Sequence, residues 1–431
     1  MLTEDVRRVL QEGAARPSRA IEVGDVLRGG RRLRRRGTLS VAMLGVAVAF
    51  GIATVAANLD APTRSKEPST ELNRPAAFLE GWTELPLPPE VREGVAFVGA
   101  GSELLAWGGC DPAVEGDCTA TADGYAFDRD LRSWSRLKRA PIPGAYASAV
   151  WTGTEAIFLG LGNQPLRDRE LLEGQAYNPV TGTWRTIAQA PVEPRTGAVA
   201  VWTGSEVIVW GGGDPGDPTV REGAAYNPSS DEWRRIADAP VGLNHMSGLW
   251  TGREMLVFGS LLDNRNHADT RTSVGAAYDP ASGKWRELPP SELSPQATTA
   301  VWVGDRMVAW DYEVHSQEFD PNSNTWSKAI KMPLDFSECY PDSVVVQDRV
   351  FAFFCGRAAL YDVSSGTWRE VHGGLLDEEV RSLKLWRFAR LVSTGDTAFL
   401  LAEGITFEQT GEPCFGCPES PVSIWAYRPF L

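Results

Sequence analysis

Four histidines, His245, His267, His315 and His372, are the only imidazoles in this chain of 431 residues. Imidazole is the side chain best suited to carry protons or a metal near neutral pH. These four lie in four separate stretches, in or near expected loops, and read as solvent-exposed. Their spacing builds no cluster with the cysteines, so no metal and no cofactor is implied. No G-x-S-x-G elbow, phosphate-binding P-loop, dinucleotide fingerprint or H-E-x-x-H motif occurs. The acidic run Asp377-Glu378-Glu379 reads as a solvated loop. The side chains with recognition chemistry are Arg167, Arg169, Arg195, Arg221, Asn264, Arg265 and Arg271, together with His245 and His267. Guanidinium groups pair with carboxylates in a two-pronged geometry, which suits an acidic sugar or an acidic peptide. Trp386, outside the tryptophan repeat and flanked by Lys384 and Arg387, is a further exposed-contact candidate.

The six cysteines are Cys110, Cys118, Cys339, Cys355, Cys414 and Cys417. Their even number argues for disulfides in an exported domain. Cys110 and Cys118 share one loop and are expected to pair. Equal counting from a turn at Gln347 puts Cys339 opposite Cys355. Cys414 and Cys417 form a C-x-x-C with no helix pattern after it and no second C-x-x-C, so it reads as a loop disulfide rather than a redox or metal site.

The elements that position these residues are repeats. Tryptophan recurs at 82, 134, 184, 233, 285, 326 and 368, at intervals of 41 to 52 residues. Seven positions before six of them stands Phe127, Tyr177, Tyr226, Tyr278, Phe319 or Tyr361. Such a period is one supersecondary unit repeated. The best-formed unit predicts strands over 197–202, 206–210, 223–226 and 233–236, cut by Thr203-Gly204, Gly211-Gly212-Gly213 and Asn227-Pro228. The first turn recurs as TGTE, TGSE, TGRE and VGDR, and in worn form as AGSE, QDR and TGD. Trp82–Leu85 reads as a fourth strand without a blade before it, and the last unit has three strands, so the N-terminal strand is expected to pair beside Ile424–Tyr427. Trp151, Trp202, Trp250 and Trp302 end first strands and are expected to pack between blades.

The paired glycines Gly108-Gly109 and Gly211-Gly212, followed by Tyr-Asp/Asn-Pro and then Trp, resemble the kelch repeat over about residues 80–431. The resemblance implies an all-β, seven-bladed kelch-type β-propeller like the central propeller of the galactose-oxidase group, closed by an N-terminal strand. Members of the family include oxidases, sugar epimerases and protein-binding adaptors, so fold follows more strongly than function. The kelch copper oxidases need a tyrosine–cysteine crosslink, and the cysteine pairing expected here leaves no thiol for one.

Residues 1–37 hold ten arginines, no lysine and five acids, a net of +5 against −14 for the whole chain, leaving −19 for residues 38–431. Residues 38–58 read TLSVAMLGVAVAFGIATVAAN, without a charge. About 20 apolar residues span a bilayer as a helix, and a dense arginine flank stays cytoplasmic. The expected layout is a cytoplasmic Arg-rich tail (1–37), one transmembrane helix acting as signal anchor (38–58), a Pro-rich linker (59–80) and the propeller outside (81–431). The alternative is secretion after cleavage near 55–57. The tail resembles that of membrane proteins from high-GC bacteria, and a short helix near Thr3 makes a cytoplasmic partner conceivable. The acidic exterior opposes nucleic-acid binding, which depends on neutralising phosphates.

Successive loops of a four-stranded meander alternate between two faces. One face carries only short turns. The other carries the long variable loops from Cys110, Gly162, Gly212, Ser260 and Glu403. Function collects on variable loops held by a rigid scaffold. The expected function is a membrane-tethered binding module that presents this loop-rich face to a protein, peptide or glycan. The alternative is an exported kelch-type sugar epimerase or mutarotase acting on an acidic sugar.

Overall fold

The structure is a computed structural model. It describes residues 81–90, 92, 94–110, 119–129, 132–160, 173–193, 197–212, 220–260, 273–294, 299–311, 313–333, 342–354, 357–372, 386–404, 406–407, 413–414 and 422–428. The tail, the apolar stretch and the linker (residues 1–80) lie outside the described residues, as do Asp377, Glu378 and Glu379. Among the described residues no helix is long and apolar enough to cross a membrane.

All regular structure among them is β. Blade 1 is Ala96–Ala100, Glu103–Trp107, Gly124–Asp128 and Ser133–Arg136; blade 2 is Ser148–Trp151, Ala156–Leu159, Gly174–Asn178 and Thr183–Thr186. Blade 3 is Val199–Trp202, Val207–Trp210, Gly223–Asn227 and Glu232–Arg235; blade 4 is Asn244–Trp250, Met255–Ser260, Val274–Asp279 and Lys284–Glu287. Blade 5 is Thr299–Val303, Arg306–Trp310, His315–Asp320 and Thr325–Trp326, with Ile330–Lys331 also pairing the third strand. Blade 6 is Asp342–Val346, Arg349–Phe354, Arg357–Asp362 and Thr367–Val371. Blade 7 takes Trp386–Ser393, Ala398–Gly404 and Val422–Arg428 from the end of the chain and Gly81–Leu85 from its beginning, with Trp82 opposite Tyr427.

Side-chain type sorts the strands by depth. Second strands such as AIFL at 156–159 and VIVW at 207–210 are buried throughout. Fourth strands such as EWRR at 232–235 are exposed except for the half-buried tryptophan, as the outermost strand of a blade must be. First strands touch the first strands of neighbouring blades all the way round, blade 7 meeting blade 1. They come close enough that two of them need glycine. A Cβ on Gly248 would lie 2.6 Å from Val199 Cβ, and one on Gly99 would lie 2.3 Å from the carbonyl oxygen of Ser393.

The core is divided among seven apolar clusters, one at each seam between blades. The cluster joining blade 7 to blade 1 holds Phe399, Ile424 and Ala426 against Phe97, Leu104 and Phe127. Burying each such side chain contributes roughly 1.5–3 kcal/mol relative to exposure. Trp151, Trp202, Trp250 and Trp302 all pack against these seam clusters, as expected for first-strand aromatics.

The Tyr-x6-Trp spacing is the register of the outer hairpin. Tyr177 stands opposite Trp184, Tyr226 opposite Trp233 and Tyr278 opposite Trp285, with ring centroids 4.8, 5.0 and 5.1 Å apart. Each indole also reaches back across a seam. Nε1 of Trp134, Trp184, Trp233, Trp285 and Trp326 donates to the carbonyl of Pro86, Lys138, Ala188, Ala237 and Pro289, at 2.7 to 2.8 Å. The acceptor is in every case four residues beyond the preceding blade's tryptophan. Trp368 donates instead to Ser316 Oγ at 2.8 Å, and Trp82 Nε1 is buried without an acceptor.

Two expectations change. The hairpin of blade 6 pairs Val346 with Arg349 and Asp342 with Phe353, around a two-residue turn at Gln347 and Asp348. The turn thus holds two residues where counting from Gln347 takes one; Cys339 and Cys355 themselves lie outside the described residues. Trp386 is not outside the repeat: it begins the first strand of blade 7.

Candidate functional site

The turns joining first to second strands and third to fourth strands share one face, and their polar groups are already in use. Thr152 Oγ1 accepts from the Glu155 amide at 3.0 Å and donates to the Glu155 carbonyl at 3.0 Å; Thr203 and Thr251 repeat the arrangement with Glu206 and Glu254. At the outer turns Asn178, Asn227, Asp279, Asp320 and Asp362 accept the amide two residues on, at 2.8 to 3.0 Å. These are self-contained side-chain turns.

The charged groups of this face clamp one blade to the next. Arg185 Nε and Nη2 donate to the two oxygens of Glu155 at 3.2 and 2.7 Å, and its Nη1 donates to Tyr226 Oη at 2.9 Å. Tyr226 Oη in turn donates to Asp231 at 2.7 Å. Burial leads the effects that push the Tyr226 phenol up to about 12, so it stays a donor at any physiological pH. Arg234 holds Glu206 at 3.0 and 2.6 Å, and Arg286 holds Glu254 at 3.3 and 2.8 Å. These arginines, each directly after a repeat tryptophan, were not among the candidate residues. The signal for them was the co-occurrence of Trp-Arg with T-G-x-E in the same blades.

The opposite face receives the ends of the second and fourth strands and the starts of the first and third. Arg221 is exposed there, two residues before the third strand of blade 3. Its carbonyl is fixed by Trp210 Nε1 at 2.8 Å and the Ala239 amide at 3.0 Å, so an anchored backbone carries a side chain in solvent. His245 and Trp386 occupy matching places, at this end of the innermost strands of blades 4 and 7. Both strands break register there, between Asn244 and Ser247 and between Trp386 and Phe388. A bulge re-aims side chains and is over-represented beside functional sites. Arg167, Arg169, Arg195, Asn264, Arg265, His267 and Arg271 lie outside the described residues. His315 begins the third strand of blade 5, with Nδ1 3.8 Å from the buried Asp311, and His372 follows the last strand of blade 6, exposed. The histidines therefore stand on separate blades in the described part. Cys110 is disulfide-bonded. Cys414 lies on a two-residue strand that faces Thr406, while Cys118, Cys339, Cys355 and Cys417 lie outside the described residues.

A cavity of about 20 Å³ opens on this face between blades 2 and 3, lined by Ser148, Glu193, Trp210 and Glu222. That is room for a single water, which needs about 10–15 Å³, and not for a sugar. Among the described residues no group of three or more His, Cys, Asp and Glu side chains is arranged to hold a metal.

No family model matches the chain. An F-box/kelch-repeat protein of Arabidopsis thaliana is 29% identical over 127 residues, covering 30% of this chain, and the match spans 33% of that relative's length. A solved structure titled "Structure of YjhT" aligns with a TM-score of 0.44 and 14% identity, over 67% of this chain and 99% of that one. The chain thus folds as a seven-bladed β-propeller, and a stretch of 127 of its residues is similar to a kelch-repeat protein.

Proposed function

We propose that the chain is a membrane-tethered extracytoplasmic binding module that presents the loop-rich face of its propeller to a protein, peptide or glycan. One observation carries the reading: the two faces differ in kind. In blades 2, 3 and 4 the short-turn face spends its donors and acceptors internally, on side-chain turns and inter-blade clamps. The other face offers the exposed Arg221 and bulged inner strands at His245 and Trp386, at the root of the long connections.

Tethering rests on residues 38–58, an uncharged stretch long enough to span a bilayer and flanked by ten arginines. The disulfide at Cys110 accords with an oxidising compartment. Pairing of Gly81–Leu85 with Val422–Arg428 supports a ring held shut by its two ends, a stable mount for variable loops.

The test is an array of peptides and glycans, including acidic sugars, probed with the full chain in lipid nanodiscs. A hit should be lost in Arg221→Ala and Arg265→Ala and kept in Arg253→Ala, an exposed turn residue of the opposite face. Loss in Arg253→Ala alone would place recognition on the wrong face for this reading.

A further inference from the structure

The clamp of the short-turn face is one slot repeated around the ring, and its occupancy follows a rule. The slot is built from the residue that ends the first turn of a blade, the residue after that blade's outer-strand tryptophan, and the third-strand aromatic of the next blade with its turn. In blades 2, 3 and 4 the first of these is Glu155, Glu206 or Glu254, and the second is the arginine that fills the slot. The third is Tyr226 Oη at 2.9 Å, Tyr278 Oη at 3.4 Å or, where Phe319 lacks a hydroxyl, Asn324 Oδ1 at 2.7 Å.

In blades 5, 6 and 7 the turn residue is not a glutamate, and the set changes. Blade 5 has Ser327 after its tryptophan, and its turn residue is Arg306, which pairs with Glu318 at 3.5 Å while Tyr361 Oη donates to Glu318 at 2.6 Å. Blade 6 has Arg349 at the turn, paired with Asp362 at 3.6 Å, and keeps Arg369 after its tryptophan. Blade 7 has the uncharged set Thr397, Thr83 and Phe127.

Blade 1 departs from the rule. Glu103 stands at the turn and Tyr177 on the next blade, but the residue after Trp134 is Ser135, whose side chain is exposed and cannot bridge them. No ion pair or hydrogen bond reaches the Glu103 carboxylate among the described residues. The nearby cations are committed elsewhere: Arg129 to Asp396, Arg136 to Asp123 at 3.0 Å, and Arg132 to the Glu84 carbonyl at 2.9 Å. Burial, and then the charge of Asp128, raises the Glu103 carboxyl above its ordinary value; burial, and then Glu103, raises the Tyr177 phenol. Both perturbations mark an acid and a phenol that face each other without the cation their counterparts hold.

We propose that the seam between blades 1 and 2 is a recognition slot for a guanidinium group, taken from an arginine side chain that a protein or peptide partner presents to the short-turn face. Three sister slots in the same ring hold that group in one geometry, two bonds to a carboxylate and one to the next blade, so the ligand class is read from the molecule itself. A planar fork matches this geometry, whereas an ammonium cannot make the paired contact. The site is independent of the loop-rich face, and either can fail without the other.

The experiment is a thermal-shift titration of the full chain in nanodiscs with N-acetyl-arginine amide, against N-acetyl-lysine amide at equal ionic strength. A ligand of the folded state raises Tm by mass action. We expect a saturable rise with the arginine amide in the roughly millimolar range, at least about tenfold weaker with the lysine amide. Ser135→Arg should raise the ligand-free Tm, by filling the slot from within, and lose the response. Glu103→Gln, which keeps shape and removes the charge, should lose the response while remaining folded. No rise in the unaltered chain, an equal rise with lysine amide, or a response that survives in Ser135→Arg would overturn the proposal.

Discussion

Replacing a repeat tryptophan by phenylalanine should have unlike consequences at two equivalent positions. Trp233 and Trp82 are both half-buried on outer strands, and each ring lies about 5 Å from the tyrosine of the paired strand, at 5.0 Å from Tyr226 and 5.1 Å from Tyr427. The packing lost with the smaller ring is therefore similar and largely cancels in the comparison. The hydrogen-bond contribution does not cancel. Trp233 Nε1 donates to the Ala188 carbonyl at 2.7 Å, a bond whose loss costs roughly 0.5–1.5 kcal/mol. Trp82 Nε1 is buried with no acceptor, and removing such a donor returns roughly 1–3 kcal/mol of desolvation penalty. Trp233→Phe should thus be less stable than Trp82→Phe by roughly 1.5–4.5 kcal/mol. Urea unfolding of the full chain, with midpoints compared at a common slope, reads the difference. Equal midpoint losses, or a larger loss in Trp82→Phe, would refute the view that these indoles act as inter-blade latches and that the seam between blades 6 and 7 lacks one.

Three further outcomes follow from the same geometry. The raised Glu103 carboxyl favours its protonated form in the fold, so the wild type gains stability as pH falls through the folded pKa toward the ordinary carboxylate value. Glu103→Gln should accordingly melt above the wild type at pH 7 and alongside it by about pH 4, and a constant gap across that range would contradict the assignment. Gly99→Ala forces a Cβ against the Ser393 carbonyl oxygen and should cost at least roughly 2 kcal/mol in unfolding experiments, because backbone on both sides must shift; a neutral effect would mean that blades 1 and 7 are not in contact there. Tyr226→Phe removes the hydroxyl that bridges Arg185 and Asp231, both partly solvated, and should cost roughly 1–2 kcal/mol, with little dependence on salt beyond that of the remaining pairs of Arg185 with Glu155 and, at 3.7 Å, with Asp231.

Much of this architecture was legible because the repeat writes one hairpin register six times. The Tyr-x6-Trp spacing had to be a short outer hairpin, and the predicted strands of blade 3 fall within two residues of those observed. Single-residue register was not legible. The turn at Gln347 and Asp348 holds two residues, one more than equal counting assumed, and Gln347 itself adopts φ 59° without being glycine. The first strand of blade 7 begins at Trp386, since a bulge there interrupts the alternation that periodicity reads. Blade 5 adds a pairing of Ile330–Lys331 with His315–Ser316 that no turn residue announces. Arginines were sought in loops, where recognition collects, while those after the tryptophans turned out to hold the ring. Their role depends on a glutamate some 28 to 32 residues away, a contact that only the meander brings about.

The most direct test of the two-faced account is hydrogen–deuterium exchange of the full chain in nanodiscs, with and without the ligand that the array returns. The account predicts added protection at 220–222, 244–247 and 386–388 on the loop-rich face, with the turn tips at 153–154, 204–205 and 252–253 unchanged. Protection confined to those turn tips, with the bulged inner strands unaffected, would contradict it.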